Sequence, residues 1–235
     1  MDFLSELRAE LGNNSNEKDR RAGLRFFKEN VDLLGIKSAL VNEIAKEHLQ
    51  KLEDKSKENI FSLCEELFRS GILEESFIAC HWSYSVKRQY VSSDFDLFEK
   101  WVHKYVSNWA TCDTLCNHNV GTIVEMYPEL MTRLKGWSIS DNRWVKRASA
   151  VSLIIPARKG KFLKDIFEIA DTLILDSDDM VRKGYGWMLK AASQAHQEEV
   201  FSYVIKNKSI MPRTALRYSI EKMPSELKAL AMSRN

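Results

Sequence analysis

The chain has little of what interrupts helices. Four prolines (Pro128, Pro156, Pro212, Pro224) and nine glycines serve 235 residues, and the first half has no proline at all. That half therefore carries no obligatory helix breaker, because proline alone both removes a backbone donor and clashes with the preceding turn. Cysteine is also scarce. Cys64, Cys80, Cys112 and Cys116 do not make a disulfide framework in a chain of this length. Cys112 and Cys116 stand one helical turn apart with His118 nearby, but the spacing fits no standard zinc pattern. Half-buried helix cysteines are expected there, and no metal. No apolar run approaches the roughly 18 residues of a membrane span, and Met1-Asp2-Phe3-Leu4-Ser5-Glu6 lacks signal-peptide character. The expectation is a cytoplasmic protein with no membrane partner. A Gly-rich phosphate loop, a nucleophile elbow and a zinc-hydrolase signature are all missing, so no cofactor is expected.

What is present is a helical rhythm. Leu63, Leu67 and Phe68, then Phe77 and Ile78, then Phe162, Ile166, Ile169, Ala170 and Leu173 recur at three- and four-residue steps. No stretch of four or more residues alternates like a half-buried strand. Breaks are expected near Gly12-Asn13-Asn14-Ser15-Asn16, Gly71, Ser92-Ser93-Asp94, Lys135-Gly136, Gly160 and Ser177-Asp178, each offering a Gly C-cap or a Ser, Asp or Asn N-cap. The reading is all-α, with about a dozen helices of roughly 10–18 residues. Hydrophobic content of 44% with 29% charged residues is ordinary for a soluble globular protein.

A repeat is visible in the second half. Trp144-Val145-Lys146-Arg147-Ala148 aligns with Met180-Val181-Arg182-Lys183-Gly184, and more faintly with Met211-Pro212-Arg213-Thr214-Ala215. Asp141 and Asp178 precede the first two copies, where a carboxylate suits the positive end of a helix. The small residue closing each copy allows close helix packing. A period in the thirties resembles HEAT-like repeats. The expected fold is a curved solenoid of antiparallel helix pairs, a single domain over residues 1–235 and a monomer.

Charge is uneven along the chain. Residues 136–235 carry 17 basic and 11 acidic groups, whereas residues 1–60 carry 11 and 12, and residues 61–135 carry 7 and 10. A basic final hundred suggests one surface facing a polyanion, although solvated helix faces give the same count. Trp109 and Asp113 are four residues apart, so an indole and a carboxylate share one helix face. A second notable indole lies far downstream in Gly184-Tyr185-Gly186-Trp187. The remaining tryptophans, Trp82, Trp101, Trp137 and Trp144, are expected in the core. Read alone, Asp113 fits a helix cap or an ion pair as well as it fits a site.

In order, Arg25-Phe26-Phe27-Lys28-Glu29-Asn30, Leu34-Gly35-Ile36, Glu75-Ser76-Phe77, Trp109 with Asp113, Ser140 through Ala148, and Lys183 through Trp187 form a pattern. That pattern resembles the AlkD-like DNA alkylation repair glycosylases, over roughly residues 20–225. The resemblance implies a basic concave groove for duplex DNA carrying alkylated bases, with Asp113, Trp109 and Trp187 as the catalytic set. It implies that Trp109 and Trp187 flank the nucleotide and that Arg147 holds the DNA backbone. Lys146, Arg182, Lys183, Lys190, Arg213 and Arg217, with Lys28, complete the expected DNA-binding residues. Two departures stand out. Ala110 replaces an Asp that usually follows the first Trp, and Phe26 replaces an aromatic hydroxyl. The expected activity is monofunctional excision of cationic N3- or N7-alkylpurines. A non-catalytic solenoid binding damaged or branched DNA, or a protein-binding scaffold, are the alternatives.

Overall fold

The apolar spacing is realised entirely as helix. A computed structural model describes residues 3–233, and among them the only strand-like feature is an isolated bridge between Asp32 and Ile72. Sixteen α-helices are formed among these residues, together with short 3₁₀ turns and one π-helical turn. They run from 5 to 14 residues, shorter and more numerous than the periodicity alone suggests. The extra ends come from side-chain caps and tight turns, which leave no mark on hydrophobic spacing. The chain divides into two compact units, parting between Leu115 and Cys116.

The first unit contains α1 (Phe3–Asn13), α2 (Glu17–Leu24), α3 (Ser38–Lys51), α4 (Lys57–Arg69), α5 (Leu73–Ser85), α6 (Asp94–Tyr105) and α7 (Trp109–Leu115). The α4 stripe Ile60, Phe61, Cys64, Leu67 and Phe68 is buried, a spacing that keeps one face inward, and α4 packs on α5 and α6. Trp82 and Trp101 lie fully in this core, as expected. Gly71 takes φ +74° between α4 and α5, at an expected break. The segment from Val31 to Lys37 is extended, and one carboxylate shapes it. Glu74, itself buried, accepts from the backbone N–H groups of Leu34 (3.0 Å), Gly35 (2.9 Å) and Ile36 (3.2 Å). Gly35 turns there at φ +80°, where a Cβ would meet Asn16 O at 2.3 Å. Only glycine fits both the dihedral and the space.

The second unit begins with the π turn Cys116–Val120. It continues through α8 (Gly121–Met126), α9 (Met131–Trp137), α10 (Arg143–Val151), α11 (Ile154–Arg158) and α12 (Leu163–Leu173). α13 (Asp179–Ala192), α14 (Gln197–Asn207), α15 (Arg213–Ser219) and α16 (Ser225–Met232) complete it. The repeat is physical. Pairs α9/α10, α12/α13 and α14/α15 are each joined by a five-residue turn, spanning 138–142, 174–178 and 208–212. The second helices form one layer, with α13 packed between α10 and α15. Asp178 caps α13 by accepting from Met180 N and Val181 N, a contact of about 1 kcal/mol. In the preceding copy the cap is Asn142, accepting from Trp144 N, and not Asp141 one position earlier. The turn chemistry is also repeated. Ser140 Oγ accepts from Asn142 N as Asp176 Oδ1 accepts from Asp178 N. The break expected at Lys135-Gly136 is absent. α9 runs through both residues, and their carbonyls receive the N–H of Ser138.

Candidate functional site

In the first unit the candidate pair rides on α7. Asn108, almost fully buried, starts that helix by accepting from Thr111 N through Oδ1 at 2.9 Å, so Asp113 is not needed as its cap. One turn apart, Trp109 and Asp113 are both half-buried and share a helix face. Trp109 is held on two sides. Its Nε1 donates to Phe26 O at 3.2 Å, and its ring stacks on Phe27 with centroids 5.5 Å apart and planes 22° from parallel. Both contacts reach more than eighty residues back in sequence, so the indole is positioned by the Arg25–Asn30 segment rather than by α7 alone.

Ala110 belongs to the packing under that indole. It is buried with Val31, Leu33 and Leu73, and Leu24, Phe27, Phe77 and Trp109 pack against the cluster. A carboxylate at this position would be desolvated among apolar neighbours, which is the physical reason an alanine suits this chain. Phe26 takes the opposite course. Its ring is 73% exposed, the most open aromatic among the described residues, while its carbonyl anchors Trp109. Beside these residues lies a cleft of about 460 Å³ with Phe26, Phe27, Phe77 and Trp109 in its walls. Periodicity gave no signal for this cleft, because its lining comes from α2, the extended segment, α5 and α7.

In the second unit, Trp187 is half-buried on α13. Its Gly184-Tyr185-Gly186 neighbours explain the motif. Tyr185 is core, and burial pushes its phenol well above the usual range. A Cβ on Gly186 would meet Tyr218 Cβ at 2.8 Å and Ala215 O at 2.9 Å, so this glycine sets the approach of α13 to α15. Gly184 leaves space for Arg147, whose Cγ would lie 3.2 Å from an added Cβ.

The expected basic residues divide by environment. Lys28, Arg213 and Arg217 are exposed or half-exposed, and Arg213 Nη2 donates to Met232 O at 3.3 Å. Lys146 pairs with Asp176 at 2.5 Å, Lys183 with Asp179 at 2.7 Å and Lys190 with Glu221 at 3.0 Å. Arg182 donates through Nε to Asp176 O at 2.6 Å. Arg147 is only 5% exposed, and its Nη1 donates to Met180 O at 2.5 Å. The repeat therefore aligns the cations, but most of them hold carboxylate or carbonyl partners within their own unit.

The four cysteines are all buried, and burial pushes the Cys64 and Cys80 thiols far above their usual range. They act as small apolar residues, inert as nucleophiles. Among the described residues, no group of three or more His, Cys, Asp or Glu side chains is arranged to hold a metal ion. No helix among them is long and apolar enough to cross a membrane.

An all-helical chain of paired helices, with an indole and a carboxylate on one helix turn and basic positions recurring along a repeat, defines a class of helical-repeat proteins suited to a polyanion. The family model for DNA alkylation repair enzymes matches residues 7–223, and the chain belongs to that family. Its fold is similar to a solved structure described as a predicted DNA alkylation repair enzyme from Enterococcus faecalis. The two share 13% identity at a TM-score of 0.79, covering 90% of this chain and 98% of the other. No curated protein matches the sequence.

Proposed function

We propose that this DNA alkylation repair protein is a monofunctional DNA glycosylase that removes cationic N3- or N7-alkylpurines from duplex DNA. The observation that carries the reading is Asp113, half-buried one turn from Trp109, whose indole is fixed by Phe26 and Phe27. An alkylated purine already bears a positive charge, so it leaves without a strong general acid. The C1′–N9 bond breaks with its electron pair passing to N9, which neutralises the base. The sugar left behind is oxocarbenium-like, and Asp113 stabilises it and orients the water that adds to C1′ with loss of a proton. Trp109 and Trp187 supply electron-rich faces for the cationic nucleotide, worth about 0.5–2 kcal/mol per contact.

Phosphate contacts are assigned first to the more open cations Lys28, Arg213 and Arg217. Lys146, Arg182, Lys183 and Lys190 join them by exchanging an internal partner for a phosphate. Arg147, buried and bonded to α13, has a supporting role in this reading: it orders the helix that carries Trp187.

Base release from methylated duplex DNA by the wild type and by Asp113→Asn is the deciding measurement. The substitution preserves shape and removes the charge, so release of 7-methylguanine should slow by about 10²-fold or more while DNA binding persists. Equal rates would remove the enzymatic reading and favour a non-catalytic protein that binds damaged or branched DNA. Ala110, buried where the resemblance expects a carboxylate, is the observation on that side.

A further inference from the structure

The cleft beside Trp109 has a composition that neither backbone binding nor Asp113 chemistry requires. Its walls are the rings of Phe26, Phe27, Phe77 and Trp109, with Leu33 and Leu73 as apolar flooring. Its volume of about 460 Å³ falls within the roughly 300–1,000 Å³ of small-molecule sites. Four aromatic rings around a space of that size suit a planar heterocycle, which gains from stacking and from leaving water. Polar groups are few. Glu74 lies in the lining, but its carboxylate is already occupied by the N–H groups of Leu34, Gly35 and Ile36. Asp19, Lys37 and Ser38 complete the polar lining, one acidic, one basic and one neutral. Together they offer donors and acceptors without net charge, which favours a neutral guest with a hydrogen-bonding edge over a cation.

Under the glycosylase reading, on which this inference rests, the reaction makes such a guest. The purine is cationic while attached to the sugar. It becomes neutral once the C1′–N9 electron pair stays on N9. A charged nucleotide is repelled by an apolar wall, because burying a cation without a counter-charge is costly. The neutral base carries no such penalty. We propose that the aromatic cleft formed by Phe26, Phe27, Phe77 and Trp109 is a binding site for the released neutral alkylpurine base. The site selects product over substrate by charge, and it receives the base next to the indole proposed to hold the nucleotide.

The test is calorimetric titration of the DNA-free full chain with 7-methylguanine, and separately with cationic 7-methylguanosine. Wild-type protein should bind 7-methylguanine saturably at one site, and at least tenfold more tightly than the nucleoside. Ala22→Phe places a ring from the exposed face of α2 into the cleft and should weaken 7-methylguanine binding at least tenfold. Phe26→Ala, at an exposed position that leaves the core untouched, should weaken it by a smaller factor; circular dichroism checks that both variants fold. Absence of saturable binding at millimolar base would overturn the proposal. So would equal binding of base and nucleoside, or binding that Ala22→Phe and Phe26→Ala both leave intact. Base release from methylated duplex DNA by the same wild-type preparation separates the two ideas. Binding of 7-methylguanine without any base release overturns the glycosylase reading and leaves the pocket standing. Base release without 7-methylguanine binding does the reverse.

Discussion

At the scale of single residues, neighbours decide what each charge and ring can do. Glu65 shows this away from the candidate site. Partial burial by itself would raise its carboxyl, but donation from Lys100, Tyr105 and Trp101 outweighs that and holds it down at about 2. A depressed carboxyl adds stability above its unfolded value near 4.5, and that stability is lost as pH falls from there through about 2. Acid titration followed by circular dichroism should therefore show a loss in that window of order 3 kcal/mol, and Glu65→Gln should flatten it. Trp109 is a second case. Trp109→Phe gives up the Nε1 bond to Phe26 O but keeps an aromatic surface on Phe27, whereas Trp109→Ala gives up both. Base release should fall in that order, with each decrease smaller than that of Asp113→Asn, because the indole positions while the carboxylate stabilises charge. A Trp109→Ala protein slower than Asp113→Asn would reverse the assignment.

At the scale of elements, glycine placement governs how closely helices meet. α13 touches α15 at Gly186, where the nearest atoms to an added methyl are Tyr218 Cβ and Ala215 O. One of these is backbone, so the helices must move apart. Gly186→Ala should cost about 1–3 kcal/mol in thermal or urea unfolding, despite the higher helix propensity of alanine. Gly12, with nothing near its added Cβ, is the internal control: Gly12→Ala should be neutral or slightly stabilising in the same assay. The extended 31–37 segment depends in the same way on one side chain. Glu74→Gln replaces an acceptor of three backbone donors by an amide with a single acceptor oxygen, and should loosen the segment.

At the scale of the whole chain, the basic excess of residues 136–235 makes affinity for DNA a function of salt. Replacing Arg213 and Arg217 by Ala should weaken binding to all duplex sequences alike. It should also reduce the slope of log affinity against log salt by about one unit for each phosphate no longer neutralised. Lys183→Ala should reduce it by less, since removing the lysine also frees Asp179, which then repels phosphate. Unchanged slopes in the double Arg variant would make these cations ordinary solvated surface.

How much of this was legible in the sequence depends on the range of the interactions. Helical class, the breaks at Gly71, Gly160 and Asp178, the repeat from Trp144 to Met180, and the burial of Trp82, Trp101, Trp137 and Trp144 follow from periodicity and short-range capping, and the sequence by itself determined them. The spacing of Trp109 and Asp113 on one helix face is equally local. Helix number and length escaped, because caps such as Asn142 act through a single side-chain oxygen that spacing does not encode. Only the tertiary structure decided what surrounds each candidate. Phe26 and Phe27 meet Trp109 across eighty residues, Glu74 reaches back forty to shape the segment at Gly35, and Arg147 turns inward against Gly184 instead of outward to solvent. The reason is physical: a helix specifies its own face within a turn, but the partner of that face is set by which distant segments bury it.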